Sequence, residues 1–292
     1  MPFLTPEPDA EPAVAVSITV PAVFVSAVSG ALYELSLVEN WEAYGFITPE
    51  EAAAIIAKAH QRIRVKEASL TSALISVWEL NEASGLRHDS HGSHHLTDNN
   101  TVTARAGKLG TNAAEFTRAN TEYLSHADHA DFDFTRDDWT FAGFFNLNDK
   151  TTTQRLITKI NTHFEMQLFY SLGLDRYLLQ VSTNGTSATH TVIANSFGSP
   201  AASAWHFIIG QRNAATDKIG IQVNNGTLEE VSLPADIYDG TGIFTLGGNS
   251  APLGGAIENV FYWRKILTPA QKTWLYNGGD GRSYLDVLAY VE

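Results

Sequence analysis

From residue 69 onwards, short runs of Val, Ile, Phe, Tyr and Trp alternate with segments of Gly, Asn, Asp and Ser. The apolar runs occupy residues 74–80, 139–147, 164–170, 177–182, 189–194, 205–211, 218–223, 242–246 and 256–263. Asn184-Gly185 and Asn225-Gly226 favour tight turns between strands, because both residue types tolerate positive φ. The pattern predicts a mainly β chain folded as an antiparallel jelly-roll β-sandwich. The capping-box sequence Thr268-Pro269-Ala270-Gln271 predicts a short helix after the last run.

Residues 1–67 have a different pattern. An arm rich in Pro, Glu and Asp is followed over residues 14–37 by loosely alternating β-branched residues, which predict one or two short strands. Thr48-Pro49-Glu50-Glu51 then has the residue types of a capping box and predicts a helix that runs to about Arg64. We therefore predict two domains: a small strand-plus-helix anchoring unit over residues 1–67, and the jelly roll over residues 68–292.

The charge balance excludes several classes of protein. The 292-residue chain has 19 Lys and Arg against 32 Asp and Glu, which gives a formal net charge of −13. Nucleic-acid binding needs a concentrated cationic surface, so no nucleic-acid partner is expected. The chain has no Cys, which excludes disulfides, thiolate metal sites and cysteine nucleophiles.

The beginning of the sequence lacks the features of an export signal. The first basic residue is Lys58, and no apolar run with a basic start precedes it, so we expect no secretory signal peptide. The most apolar stretch, residues 14–38, is interrupted by Ser, Thr, Pro, Gly and Glu. A bilayer-spanning helix needs about 20 predominantly apolar residues, so we expect no membrane insertion.

Short motifs beyond residue 76 occur in a characteristic order. They are Val77-Trp78-Glu79-Leu80, Asp89-Ser90-His91-Gly92, Gly107-Lys108-Leu109-Gly110, Ala114-Glu115-Phe116, Trp139-Thr140-Phe141, Trp205-His206-Phe207 and Gly255-Ala256-Ile257-Glu258-Asn259-Val260. In this order they resemble the laminin-G-like, concanavalin-A-like lectin superfamily of jelly rolls, over about residues 73–280. The resemblance implies the sandwich fold and a surface that binds carbohydrate or protein.

Many members of this superfamily carry calcium, so the resemblance also implies a calcium cofactor. Its candidate ligands here are Glu82, Asp89 and Glu258, since Ca²⁺ prefers several oxygen ligands with more than one carboxylate. The chain departs from the family pattern at Thr117-Arg118, where relatives often have Asp-Gly. It departs again at Glu258-Asn259, where relatives often have Asp-Glu.

A histidine-rich run, His88-Asp89-Ser90-His91-Gly92-Ser93-His94-His95, contains the imidazole and carboxylate groups that zinc prefers. The run also coincides with a predicted surface turn, where polar residues need no ligand. We favour the turn, in which these histidines would form only a loose and adventitious metal site.

A second polar run precedes the apolar run at Trp139. Its candidate ligand-binding residues are His126, Asp128, His129 and Asp131. Loops at the rim of a jelly roll carry many ligand contacts, which makes this run a reasonable binding site. A solvated loop is the favoured alternative, with Phe132 and Phe134 alternating as if they entered a strand.

The sequence lacks the patterns of an enzyme. The superfamily includes glucanases, which place paired acids on one strand face in the pattern Glu-x-Asp-x-x-Glu, and this pattern is absent. Glu229 and Glu230 are adjacent and would point to opposite faces of a strand. There is no P-loop and no Gly-x-Ser-x-Gly sequence either, so we expect a protein without catalytic activity.

These observations lead to a hypothesis about function. A lectin-like domain normally meets glycans outside a cell, and a phage virion protein reaches that place by lysis without an export signal. We therefore expect a virion surface protein (fibre, spike or decoration), extracellular after lysis and homo-oligomeric. Residues 1–67 would dock to virion or other scaffold proteins, and the jelly roll would bind cell-surface carbohydrate. The alternatives are a purely structural decoration protein without a glycan ligand and, less favoured, a relative of the glycoside hydrolases.

Overall fold

The computed structural model describes Thr48, Glu50, Glu51, Ala53, Ala54, residues 69–110 and residues 112–290. The strands predicted over residues 14–37 and the helix end predicted at Arg64 lie outside these residues. The predicted helix start lies within them. The backbone N–H of Thr48 donates to Glu51 Oε2 at 2.8 Å, and the N–H of Glu51 donates to Thr48 Oγ1 at 3.2 Å. These reciprocal bonds form the predicted capping box.

Strands account for more of the described chain than helices do. They are β1 Leu74–Trp78, β2 Thr97–Asn99, β3 Thr103–Ala106, β4 Asn112–Phe116, β5 Tyr123–His126, β6 Trp139–Leu147, β7 Gln154–Ile160, β8 Phe164–Ser171, β9 Arg176–Val181, β10 His190–Ile193, β11 Trp205–Asn213, β12 Lys218–Val223, β13 Glu229–Ser232, β14 Phe244–Leu246 and β15 Gly255–Trp263. The helices are α1 Pro269–Tyr276 and α2 Tyr284–Ala289, with 3-10 turns at Arg118–Asn120, Ala130–Phe132 and Asn277–Gly279. None of the described helices is both long and apolar enough to cross a bilayer.

The strands form two antiparallel sheets. The eight-stranded sheet has the order β13-β12-β11-β6-β15-β4-β3, with β1 also paired to β15. The seven-stranded sheet has the order β10-β9-β8-β7-β14-β5-β2. The predicted antiparallel sandwich is therefore confirmed, and it lies within the compact unit Ala68–Glu292. The role of residues 1–67 as a separate anchoring unit stays a prediction.

The main core lies between the two sheets. Phe141 and Ile208 of the eight-stranded sheet belong to the same buried cluster as Leu168 and Phe244 of the seven-stranded sheet. Facing side chains from two sheets remove a large apolar area from water, which is the main stabilising contribution in such a sandwich.

A second apolar cluster lies on the other face of the eight-stranded sheet. There Phe144, Phe207 and Phe261 pack with Leu275 of α1 and Val287 of α2. Because the C-terminal helices cover this face, every residue of β6 and β15 is buried. The capping box predicted for α1 is present, with Thr268 and Gln271 bonded reciprocally at 3.2 and 3.0 Å.

Three of the four tryptophans of the apolar runs belong to the core. Trp78, Trp139 and Trp263 are fully buried and offer no surface for a sugar ring. Trp205 is only partly buried, and the guanidinium carbon of Arg105 lies 5.6 Å from its ring centroid.

We predict that Gly255→Ala destabilises the sandwich, because Gly255 begins β15 where it lies directly against β6. A Cβ at this position would overlap the backbone carbonyl oxygen of Asn146, which cannot move without displacing β6. The expected loss of unfolding free energy is about 3 kcal/mol. Gly173→Ala is the matched control, since a Cβ there meets no heavy atom within 4 Å. Equal urea midpoints for the two variants would contradict this account of the β6–β15 contact.

Candidate functional site

The second polar run lies at one end of the sandwich and is called here the rim segment (residues 126–134). It follows β5, whose last residue, His126, is paired with Phe244 of β14. Phe244 is in turn paired with Lys159 of β7. Directly paired residues on neighbouring strands project from the same face of a sheet. His126 and Lys159 therefore flank the buried ring of Phe244 at the end of the main core.

The rim segment is held in place by packing and hydrogen bonds. Phe132 and Phe134 are buried, and Phe132 lies in a 3-10 turn rather than at the start of a strand. His129 Nδ1 caps this turn by accepting the N–H of Asp131 at 3.1 Å. The Tyr262 hydroxyl donates to the Asp131 carbonyl oxygen at 2.6 Å. The expectation of a strand entered at Phe132 and Phe134 is therefore wrong. The segment is a loop, with residues 127–130 exposed and the two phenylalanine rings buried.

A buried ammonium group lies behind the rim segment. The side chain of Lys159 is fully buried, yet Lys159 Nζ lies among four carboxyl groups. The distances are 2.9 Å to Asp128, 3.0 Å to Glu165, 3.2 Å to Asp133 and 3.9 Å to Asp239. Glu165 is buried, whereas Asp128, Asp133 and Asp239 keep 34, 31 and 48% of their side chains exposed. We call these five residues the Lys159 nest.

The electrostatics of the nest follow from burial and charge. Desolvation by itself would lower the pKa of Lys159, but the carboxylates of Asp128 and Glu165 outweigh it and raise that pKa. Burial raises the pKa of Glu165 despite the neighbouring ammonium. Burial and the adjacent carboxylate of Asp133 raise the pKa of Asp239. One positive group thus faces four acids, and carboxyl oxygens are in excess at this surface.

An aromatic side chain lies beside the nest. Tyr238 precedes Asp239, and its ring centroid is 5.2 Å from that of His163. Gly240 allows this close packing, because a Cβ there would lie 3.0 Å from both Tyr238 Cε1 and Glu165 Oε1. The Gly240 carbonyl oxygen also accepts from Lys159 Nζ at 3.3 Å. The carboxyl groups of the nest therefore lie next to a half-buried aromatic ring, that of Tyr238.

Histidines gather on the other side of the rim segment. His94 belongs to the histidine-rich run, and its side chain is buried. Its ring centroid lies 5.0 Å from that of His126 and 4.6 Å from that of His129. His94 Nε2 lies 2.9 Å from Asp131 Oδ2. Burial lowers the pKa of His126, and the nearby His94 and His129 lower it further. We call His94, His126, His129 and Asp131 the histidine cluster.

The structure divides the predicted ligand-binding residues between two groups. His126, His129 and Asp131 belong to the histidine cluster, whereas Asp128 belongs to the Lys159 nest. Sequence reasoning missed Lys159, Glu165, Asp239, Tyr238 and, as a partner of the rim segment, His94. For Glu165 a signal was present, because it is a charged residue between Phe164 and Met166 in a strand that was predicted from its apolar residues. Such a residue needs a buried partner.

The three predicted calcium ligands make structural hydrogen bonds instead of facing one another. The buried carboxylate of Asp89 accepts backbone N–H groups, from Val77, His91, Gly92 and His94. Burial alone would raise the pKa of Asp89, but these four donors lower it. Glu82 Oε1 accepts the N–H of His88 at 2.7 Å. Glu258, also buried, accepts the N–H groups of Lys108 and Leu109.

Only one group of three metal-ligating side chains with converging donor atoms occurs within the described part of the chain, and it consists of His94, His129 and Asp131. Glu82, Asp89 and Glu258 do not form such a group. Glu258 lines a pocket together with Glu79, Asp280 and Asp286. Calcium binding stays a prediction.

Comparison with known proteins identifies the fold. No protein-family model and no curated protein sequence matches the chain. Among solved structures, the binding domain of Paraclostridial mosquitocidal protein 1 has a TM-score of 0.59 at 12% identity, covering 72% of this chain and 53% of that one. Domain 4 of AbnA, an extracellular GH43 arabinanase of Geobacillus stearothermophilus, in complex with arabinotriose, has a TM-score of 0.53 at 14% identity, covering 72 and 98%. The binding domain of botulinum neurotoxin DC in complex with SialylT has a TM-score of 0.54 at 9% identity, covering 72 and 52%.

At these identities the likeness concerns the fold. The chain spans about half the length of the mosquitocidal and neurotoxin binding domains, and nearly all of the arabinanase domain. The fold is therefore that of β-sandwich domains found as binding modules of larger proteins.

We predict that Lys159→Met costs about 3–5 kcal/mol of unfolding free energy at pH 7, because it leaves the buried carboxyl group of Glu165 and its three partly exposed neighbours without their counter-charge. The loss should shrink as the pH falls, since Glu165 and Asp239 have raised pKa values and are therefore protonated at higher pH than ordinary carboxyl groups. Lys218→Met is the matched control. Its ion pair with Glu230, at 3.0 Å, is largely exposed and contributes about 0–1 kcal/mol. Urea titrations in which both variants lose only a little unfolding free energy, independently of pH, would contradict the role given to Lys159.

Proposed function

We propose that the sandwich is a carbohydrate-binding domain without catalytic activity, and that it holds a neutral glycan at the Lys159 nest. The observation that carries this proposal is the set of half-exposed carboxyl groups of Asp128, Asp133 and Asp239, fixed around one buried ammonium. Carboxylates accept strong hydrogen bonds from hydroxyl groups. Acceptors that are positioned before the ligand arrives lower the entropic cost of binding.

The ring of Tyr238 supports the same proposal. Sugar rings have apolar C–H faces that pack against aromatic side chains, while their hydroxyls need polar partners. Ligand sites commonly combine such an apolar surface with a few convergent polar groups. Tyr238 and the acids of the nest place both kinds of group on one patch, beside the exposed ring of His163.

The charge of the nest favours neutral over acidic sugars. One ammonium faces four carboxyl groups, and the whole chain has a net charge of −13. An anionic sugar would have to approach carboxylates that already share a single counter-charge. The arabinanase domain in complex with arabinotriose and the neurotoxin domain in complex with SialylT motivate testing both neutral and sialylated glycans.

We predict that Asp239→Asn lowers the affinity for a neutral glycan, found on a glycan array, by at least about tenfold, because it removes a charged acceptor. Asp236→Asn is the matched control: this exposed acid three residues earlier pairs with Arg136, outside the nest. Affinities are measured by calorimetry, with calcium and with chelator, so that a loss on chelation would support the calcium prediction. Equal affinity of the two variants would place the glycan elsewhere on the sandwich.

Two other outcomes separate this proposal from its alternatives. If neither neutral nor sialylated glycans bind to the protein, the result would favour a purely structural protein. Release of reducing ends from a bound polysaccharide would favour a glycoside hydrolase, for which Glu165 and Asp239, with their raised pKa values, are the acids to examine.

We further propose that this domain acts on the surface of a virion, as a homo-oligomeric fibre, spike or decoration protein docked through residues 1–67. The composition of these residues, rich in Pro and acids before Lys58, differs from that of the sandwich and supports a separate role. The full chain should co-sediment with virions of the phage that encodes it. A chain without residues 1–67 should stay unbound and keep its glycan affinity. Co-sedimentation of the shortened chain, or of neither chain, would refute docking through this segment.

A further inference from the structure

We propose that His94, His129 and Asp131 bind one divalent transition-metal ion, with Zn²⁺ preferred. The three side chains offer donor atoms that all lie within 4.8 Å of one another. The ligands come from two separate loops, since His94 follows β1 whereas His129 and Asp131 follow β5. A bound ion would therefore join the histidine-rich run to the rim segment.

The distances fit a tetrahedral ion. Asp131 Oδ2 lies 2.9 Å from His94 Nε2 and 3.3 Å from His129 Nδ1. Bonds of about 2.0–2.1 Å at tetrahedral angles place two ligand atoms about 3.3 Å apart. Two of the three donor pairs thus already lie near the separation that Zn²⁺ requires, and the third lies within 4.8 Å. Three protein ligands leave a further coordination position open.

The hydrogen bonds around His129 also point to a cation. Its Nδ1 accepts the N–H of Asp131 at 3.1 Å, so Nδ1 carries the lone pair in the neutral ring. The same Nδ1 lies only 3.3 Å from the carboxylate oxygen Asp131 Oδ2, which also has lone pairs. Two acceptors that face each other repel, and a cation between them reverses the sign of this interaction. Binding exchanges this neutral hydrogen bond, and the one that His94 Nε2 donates to Asp131 Oδ2 at 2.9 Å, for coordinate bonds, and it releases the proton of His94 Nε2.

The surroundings hold the ligands in place before an ion arrives. The ring of His94 is buried, and its centroid lies 5.0 Å from that of Phe132 in the core. The Tyr262 hydroxyl holds the backbone of Asp131. His126 Nδ1 donates to the carbonyl oxygen of Ala127 at 2.6 Å, which leaves its Nε2 as an acceptor near the three proposed ligands. Support of this kind limits the entropic cost of forming a metal site.

The donor set selects the metal. Two imidazoles and one carboxylate suit Zn²⁺ and its neighbours in the first transition row, whereas Ca²⁺ takes six to eight oxygen ligands. This site is therefore distinct from the calcium site that the family resemblance implies, and it shares no side chain with the Lys159 nest.

The experiment uses the full chain, expressed without a histidine tag and treated with chelator. Calorimetry should show one Zn²⁺ per chain, and excess Ca²⁺ should not compete. Co²⁺ in place of Zn²⁺ should give the visible absorption of a tetrahedral complex. In NMR spectra the amide signal of Asp131 should move on binding, because it loses His129 Nδ1 as its acceptor.

Substitutions test which residues bind Zn²⁺. His129→Gln and Asp131→Asn should each weaken Zn²⁺ binding at least about tenfold. Both side chains are partly exposed, so the variants are expected to fold, which thermal unfolding checks. His88→Gln is the matched control, because His88 belongs to the same histidine-rich run and lies outside the cluster. Binding that survives His129→Gln and is lost in His88→Gln would overturn the proposal, as would weak binding of several ions. Glycan affinity measured in chelator reports on the nest alone, so the two proposals fail separately.

Discussion

The packing of Phe132 into the end of the main core organises both groups of polar residues. Its ring stacks on Phe244 with a centroid separation of 4.7 Å, and it also contacts the rings of His94 and His126. Phe132 is buried, and the residues on either side of it contact different groups. Asp131 meets the histidines, and Asp133 meets Lys159. One apolar contact therefore separates a nitrogen-rich group from a carboxyl-rich one.

Burying Lys159 and Glu165 lowers the stability of the sandwich, and it fixes the Lys159 nest in place. Removing an ammonium and a carboxylate from water is costly, and their mutual attraction offsets this cost only when the geometry is good. The strand register supplies that geometry, since Lys159 pairs with Met166 next to Glu165 and with Phe244 on the other side. The result is a rigid charged centre whose outer acids reach solvent, which is the arrangement that a preformed polar site requires.

Asp89 shows that a carboxylate in a motif that resembles a family's motif can have a structural role. Its two oxygens accept four backbone N–H groups, and they hold the histidine-rich run in the turn that delivers His94 to the rim segment. Glu258 holds Lys108 and Leu109 in the same manner. Both acids lie in motifs that carry the family resemblance, and a motif does not distinguish an acid that bonds to backbone from one that faces a ligand.

The sequence alone determined the antiparallel sandwich, because nine of the fifteen strands are apolar runs, and it determined the start of α1 through its capping box. It did not reveal strands such as β2 and β3, which are short, polar and partly exposed, and which exist only because a neighbouring strand pairs with them. The sequence placed His126, Asp128, His129 and Asp131 in one loop. It did not show that they divide between two sites. That division depends on His94 and Lys159, which lie about 30 residues away on either side. Hydrophobic period is a local property of the chain, whereas the partners of a buried charge or a histidine ring are set by strand register and packing, which only the tertiary structure decides.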